Sequence, residues 1–169
     1  MGSRWYPKFG GKGGNQAVSV AREGARSRMF GAVGADDFGQ FLREGLRAAG
    51  VDDRFVATVQ TGSGMSVAIQ DAAGDYAATI VSGANLEMNA EALRDDAVWD
   101  GAALLVLQGE APDAVNLAAA SEARRRGVRV ILNAAPARPL PPALPPLVDV
   151  LVVNAVEAQM MGAGQICCL

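Results

Sequence analysis

Apolar and polar positions follow two rhythms along this chain, and the changes between them outline its elements. Ala17, Val18, Val20 and Ala21 recur at helical spacing ahead of Gly24. A helix is predicted there, with Asn15 as N-cap and Gly24 just past its end. The glycine-rich residues 9–14 before it are predicted to be a loop. Residues 28–33 read as a buried strand. Phe38, Phe41, Leu42 and Leu46 then make a helical stripe that ends at Gly50. Asp36 and Asp37 stand at its start, where a side-chain cap and a first-turn negative charge are both favourable.

Over residues 55–81 the rhythm changes. Val56, Val59, Val67, Ile69, Ile80 and Val81 are separated by the turn signals Thr61-Gly62-Ser63-Gly64 and Ala73-Gly74-Asp75. Two or three strands are predicted, the last two forming a hairpin. After a short helix near 90–94 the alternation becomes regular: strand 104–107, helix 113–126, strand 128–132, strand 150–153, short helix 157–161. Strands spaced by helices mean βαβ units and a parallel sheet, an α/β fold. The proline-rich residues 136–146 read as a stiff connector within that fold.

Composition narrows the picture. A length of 169 residues and a mass of 17.4 kDa suit one domain. Half the residues are hydrophobic and 20% are charged, which argues against disorder. A net charge of −3 offers no overall positive field for nucleic acid or an anionic membrane. The three-arginine run Arg124-Arg125-Arg126 fits the last turn of a helix, beside the negative end of its dipole. There is no histidine, which excludes Ser-His-Asp and Cys-His catalysis and every His-ligated metal site. The only cysteines, Cys167 and Cys168, are adjacent and cannot staple a secreted scaffold. With no signal peptide and no apolar run near the ~18 residues a membrane helix needs, a cytoplasmic protein is expected.

Ligands of open parallel sheets bind beyond the carboxyl ends of the strands. Three predicted strands run into polar residues there: Gln108-Gly109-Glu110, Asn133, and Asn154 with Glu157 three residues on. An ordinary alternative stands for each, since loop starts are polar and Asn154 with Glu157 has the spacing of a capping pair. Gly10-Gly11-Lys12-Gly13-Gly14-Asn15-Gln16 is a second cluster. It is not a Walker A loop, because no Gly-Lys-Ser/Thr follows four intervening residues, and not a dinucleotide fingerprint, because Gln16 stands where the third glycine would be.

Together these pieces resemble the ribokinase, or PfkB, family of carbohydrate kinases. Gly10 to Ala17 is similar to that family's first signature. Gly31-Ala32-Val33-Gly34-Ala35-Asp36-Asp37-Phe38-Gly39, Gly50-Val51-Asp52, Thr61-Gly62, Ser82-Gly83-Ala84-Asn85, Gln108-Gly109-Glu110, Leu132-Asn133-Ala134-Ala135-Pro136-Ala137 and Val152 to Ala158 follow in family order. The resemblance implies a parallel sheet flanked by helices, with a small β-sheet lid that closes over the sugar and forms a dimer contact. The domain would span 10–169, with lid strands around 55–82 and residues 1–9 as a leader outside the pattern. The implied reaction moves the γ-phosphate of ATP to a sugar hydroxymethyl group, with ribose favoured. Mg2+ and a monovalent cation are implied cofactors; nucleic-acid and membrane partners are not. Gly11, Lys12, Gly13, Gly14, Asn15 and Glu110 match the sugar site, Asn154 the nucleotide-phosphate contact, and Glu157 a water-mediated magnesium position.

The departures are equally specific. The family's catalytic aspartate lies in a Gly-Ala-Gly-Asp motif that this sequence lacks; Gly162-Ala163-Gly164-Gln165 ends in glutamine, which cannot act as a base. No Asn-x-Asp segment precedes Gly10. Gly109 stands where a larger apolar residue is usual, and Ala155-Val156 replaces a Glu-Thr pair. The resemblance therefore implies an incomplete, partly lidded fold, cut short at both ends and inactive alone, with ATP used only if the missing half is supplied. A degenerate, non-catalytic sugar- or partner-binding module is the competing reading. A generic nucleotide-binding α/β domain is disfavoured by the lack of a phosphate-loop fingerprint.

Overall fold

The structure, a computed structural model, describes residues 6–70 and 76–162. The turn signal at Ala73-Gly74-Asp75 and everything from Ala163 onward, including Cys167 and Cys168, lie outside the described residues. The chain divides into two compact units, Met1–Ala84 and Asn85–Leu169.

In the first unit, helix α1 (Lys12–Arg22) leads to strand β1 (Arg28–Gly34), helix α2 (Asp37–Ala48) and strand β2 (Asp52–Val59). Strands β1 and β2 pair in parallel, with Gly31 opposite Val56 and Gly34 opposite Val59. Val33 and Val56 bury one face of this pair against Ala17 and Val18 of α1 and Leu46 of α2. Both helices direct their apolar stripe inward, as their spacing predicted. Asp53, 8% exposed, is held by Arg43 at 2.9 Å and Arg47 at 3.0 Å from α2. Arg43 also donates to the Val56 carbonyl at 2.7 Å, which fastens the helix to the strand. A buried carboxylate with two such partners is satisfied rather than stranded.

Strands β3 (Met65–Gln70) and β4 (Tyr76–Val81) form a separate antiparallel hairpin, with Met65 opposite Val81 and Val67 opposite Thr79. Of the strands expected over 55–81, β2 thus belongs to the parallel pair. The first of them begins at Asp52 because it continues directly from the glycine turn at Gly50, where φ is 79°.

The second unit opens with 3-10 turns at Gly83–Glu87 and Ala90–Arg94 and a single helical turn, α3 (Asp96–Trp99). Strand β5 (Leu104–Gln108), helix α4 (Asp113–Arg125), strand β6 (Arg129–Asn133), strand β7 (Val150–Val152) and helix α5 (Ala155–Met160) follow. Strands β5, β6 and β7 form one parallel sheet in that order. Val130 and Leu132 are sealed in its middle, and Ala119, Ala120 and Ala123 bring α4 close. The three arginines at the end of α4 each meet a carboxylate: Arg124 with Asp149, Arg125 with Glu122, and Arg126 with Asp96 and Glu122. Strand β7 exposes all three of its apolar residues, Val150, Leu151 and Val152. Among the described residues no helix is long and apolar enough to cross a membrane.

The described parallel strands form a two-stranded sheet in the first unit and a three-stranded sheet in the second. In the first unit the tightest backbone approach is at Gly39, where a methyl group would overlap the Gly34 carbonyl oxygen. Gly39→Ala is therefore expected to destabilise the chain by about 1–3 kcal/mol through overpacking. Urea unfolding compared with Gly24→Ala, where no atom crowds the new methyl but φ is +84°, separates crowding from backbone strain.

Candidate functional site

The glycine-rich segment is more helical than its composition suggested. Gly11, at φ 82°, is the N-cap of α1, so Lys12, Gly13 and Gly14 form the first helical turn. Asn15 is not the cap: its N–H donates to the Gly11 carbonyl at 3.0 Å from within the helix. A positive φ costs glycine little, which lets the helix start earlier than a capping asparagine would. No side chain caps this end of the helix. Gly14 has a packing reason of its own. A Cβ there would lie 3.0 Å from the Phe9 ring, which also presses on Gly45 of α2. Asn15 is exposed and Lys12 half-buried.

Asp36 does more than cap α2. Its Oδ1 accepts from the Gly39 N–H at 2.7 Å and the Ser63 hydroxyl at 2.6 Å, and its Oδ2 accepts from the Ser63 N–H at 2.7 Å. The Ser63 Oγ in turn accepts from the Gly34 N–H at 2.9 Å. Ser63 is buried. It sits at the entrance to the β3–β4 hairpin, and the exit is stapled beside it by Ala84 N–H donating to the Gly62 carbonyl at 2.9 Å. One carboxylate therefore ties the end of β1, the start of α2 and the base of the hairpin together. The Ser63 hydroxyl, then the Ser63 and Gly39 amides, hold the Asp36 carboxyl below its ordinary value, because each bond stabilises the ionised form.

In the second unit the strand register sets the geometry. Gln108 stands opposite Asn133, and Asn133 opposite Val152. The residues that follow these strands, Gly109-Glu110, Ala134 and Val153-Asn154, leave from one edge of the sheet. Glu110, Asn133 and Asn154 thus stand at or just after strand ends that share one edge of the sheet. The glycine-rich turn lies in the first unit, while Glu110, Asn154 and Glu157 lie in the second.

Asn154 and Glu157 form a complete capping box on α5. The Asn154 Oδ1 accepts from the Glu157 N–H at 2.8 Å, and a Glu157 carboxylate oxygen accepts from the Asn154 N–H at 2.9 Å. The ordinary reading of that spacing is what the two side chains do here. It leaves the second carboxylate oxygen of Glu157 outside the box.

The β5–α4 turn that carries Glu110 is held at five points. Asn116, a buried polar residue on the inner face of α4, donates to the Gln108 carbonyl at 2.9 Å. The Gly109 N–H donates to the Ala135 carbonyl at 2.9 Å. Arg138 donates from Nε to the Gly109 carbonyl at 3.1 Å and from Nη2 to the Ala111 carbonyl at 3.0 Å, and its Nη1 pairs with Asp113 at 2.5 Å. Gly109 itself is required: a Cβ would stand 2.8 Å from the Pro136 carbonyl oxygen and 2.9 Å from that of Ala135. This accounts for a glycine where a larger residue was expected.

Sequence reasoning missed Ser63, Asn116 and Arg138. Asn116 had a signal, a polar residue among Val115, Ala119, Ala120 and Ala123 on the apolar face of a helix. Ser63 and Arg138 sat in a turn and a proline-rich connector, where nothing in the pattern marks a tertiary contact.

The profile of the pfkB family carbohydrate kinases matches residues 2–165, and the chain belongs to that family. It is 35% identical to the ribokinase of Mus musculus over 163 residues, covering 95% of this chain and 50% of that one. It is 32% identical to the ribokinase of Haemophilus influenzae over 162 residues, covering 95% of this chain and 53% of that one. Among solved structures, Arabidopsis thaliana ribokinase complexed with ribose and ATP superposes with a TM-score of 0.83 at 30% identity, over 90% of this chain and 51% of that one. The chain spans about half the length of the curated relatives it matches first. Its fold is ribokinase-like.

Asp36 gives a pH test. Its folded-state value is lowered, so its contribution is complete above the unfolded value of about 3.9 and is lost as pH falls through the folded one. Stability should rise with pH across that acidic window. Asp36→Asn is expected to lose less stability than the parent chain between neutral pH and about pH 3, read from urea midpoints at each pH.

Proposed function

We propose that this chain is the sugar-binding half of a ribokinase-like kinase, with ribose as its sugar and ATP as the phosphoryl donor. The observation that carries this reading is the shared carboxyl edge of β5, β6 and β7, from which Glu110 and Asn154 both emerge. The ribose- and ATP-bound Arabidopsis relative supports the choice of ligands.

In this reading the Glu110 carboxylate accepts charge-assisted hydrogen bonds from vicinal sugar hydroxyls. Asn15 supplies a donor and an acceptor from one amide. Gly11, Lys12, Gly13 and Gly14 present backbone at close range, because glycine adds no side chain between main chain and ligand. Asn154 contacts the nucleotide phosphates. Among the described residues no group of three or more His, Cys, Asp or Glu could hold a metal by itself. A magnesium ion arriving with ATP needs only one or two carboxylates besides phosphates and water. Glu157, with one oxygen outside its capping box, fits a water-mediated place beside it. Such an ion neutralises charge on the phosphates. A monovalent cation is part of the same reading, as is a cytoplasmic setting.

No Gly-Ala-Gly-Asp segment occurs in these 169 residues. The chain alone is therefore proposed to bind sugar without transferring phosphate, since neither base nor anion hole is supplied. The exposed apolar row Val150, Leu151 and Val152 supports a surface that a companion half covers. The same observations fit a second reading, a degenerate binding module with no catalytic partner. Mixing with the separately expressed C-terminal half of a ribokinase relative distinguishes them: ATP-dependent ribose phosphorylation should appear in the first case and stay absent in the second.

Two expected outcomes test the binding site and the hairpin. Glu110→Gln should weaken ribose binding by calorimetry about 10- to 100-fold, the worth of a hydrogen bond to a charged group. Undiminished binding would overturn the reading. The hairpin face that carries Met65, Val67, Ile69 and Val81 leaves Val67 49%, Ile69 67% and Val81 48% exposed. It is proposed as a lid and a homodimer contact. Ile69→Lys should then shift sedimentation from dimer to monomer, and an unchanged coefficient would remove the hairpin from any interface.

A further inference from the structure

We propose that Arg138 is the positioning residue for Glu110, fixing the direction of its carboxylate by clasping the backbone on both sides of it. The inference rests on the reading of Glu110 as the sugar-binding carboxylate, but the clasp is geometric. Arg138 donates from Nε to the carbonyl of Gly109, the residue before Glu110, at 3.1 Å. It donates from Nη2 to the carbonyl of Ala111, the residue after, at 3.0 Å. Its Nη1 pairs at 2.5 Å with Asp113, the first residue of α4. The three nitrogens of one planar group thus engage the turn at residues 109, 111 and 113.

A guanidinium suits this task because its donors are held in a rigid fork. Holding the Gly109–Glu110 and Ala111–Pro112 peptides at the two ends of the segment restricts the backbone path between them, and so the direction of the Glu110 Cα–Cβ bond. The clasp reaches across from the connector after β6, with Arg138 itself 29% exposed. The neighbouring contacts point the same way. Gly109 N–H is taken by Ala135 and the Gln108 carbonyl by Asn116. The carbonyls of Gly109 and Ala111, on either side of Glu110, accept from Arg138. A turn with free carbonyls would let the carboxylate sample several directions, and binding would have to supply the lost order.

The test uses the full chain with Arg138→Gln, Arg138→Lys and Glu110→Gln. Backbone 15N relaxation is measured without ligand, and ribose affinity by calorimetry. The Glu110 and Ala111 amides should have order parameters near ~0.85 in the parent and below ~0.6 in Arg138→Gln, with the β6 amides unchanged. Arg138→Lys keeps the charge beside Asp113 but lacks the fork, so it should fall between them. Should Arg138→Gln fail to fold, the Lys variant carries the same comparison. Ribose affinity should fall about tenfold or more in Arg138→Gln, approaching the loss in Glu110→Gln.

Order parameters at 110 and 111 that match the parent in both Arg138 variants would overturn the clasp. A mobile turn with undiminished ribose affinity, while Glu110→Gln still weakens it, would overturn the positioning role. Loosening at 110 and 111 with no effect of Glu110→Gln on ribose would overturn the sugar reading of Glu110 and leave the clasp standing.

Discussion

Parallel pairing of β5, β6 and β7 is the constraint on which the second unit depends. When strands run the same way, every loop that follows a strand leaves from one edge, and every return crosses on a face. Gln108, Asn133 and Val152 are level in the ladder, so the residues just beyond them are neighbours whatever their separation in the chain. The return path between β5 and β6 is α4, whose alanines at 119, 120 and 123 allow close approach to Val130 and Leu132. The same helix delivers Asn116 to the end of β5. Core packing and edge geometry are therefore one arrangement.

A second theme is how this chain holds irregular backbone. Turns on the surface of an α/β fold have few ladder partners, and an unpaired buried carbonyl or amide is costly. Here charged side chains supply the missing partners: Asp36 for the amides of Gly39 and Ser63, Arg138 for the carbonyls of Gly109 and Ala111. Glycines at 34, 39 and 109 let the chain approach closely enough for those contacts to form. A carboxylate accepts from several donors and a guanidinium gives to several acceptors, so one residue can fasten three segments. That economy keeps the hairpin base and the Glu110 turn ordered without adding core.

Much of this was legible in the residue pattern. The strands at β1, β5, β6 and β7 and the helices α2 and α4 fall within a residue or two of their predicted bounds, because their apolar faces have a clear period. The capping pair Asn154 and Glu157 was readable from spacing alone, since both partners lie within one helical turn. The start of α1 departs from what its residues signal. Glycine composition signals a loop, yet a positive φ at Gly11 places the cap there and draws Gly13 and Gly14 into the helix. Strand β2 pairs with β1 rather than with the strands after it; a β-rich stretch does not reveal whether a strand pairs with its predecessor or its successor.

Local rules thus determined the α/β class, the order of elements and the polar residues that end the strands, because period, caps and turn chemistry act over a few neighbouring residues. The family signature followed from the same linear order. Only the tertiary structure decided that Ser63 and Asp36 meet across 27 positions, that Gly109 must be small, and that Arg138 reaches back 27 and 29 positions to the turn around Glu110. Those contacts join segments whose separation is set by the lengths of helices and connectors between them. No local period encodes such a meeting; it exists only once the sheet register has brought the two backbones together.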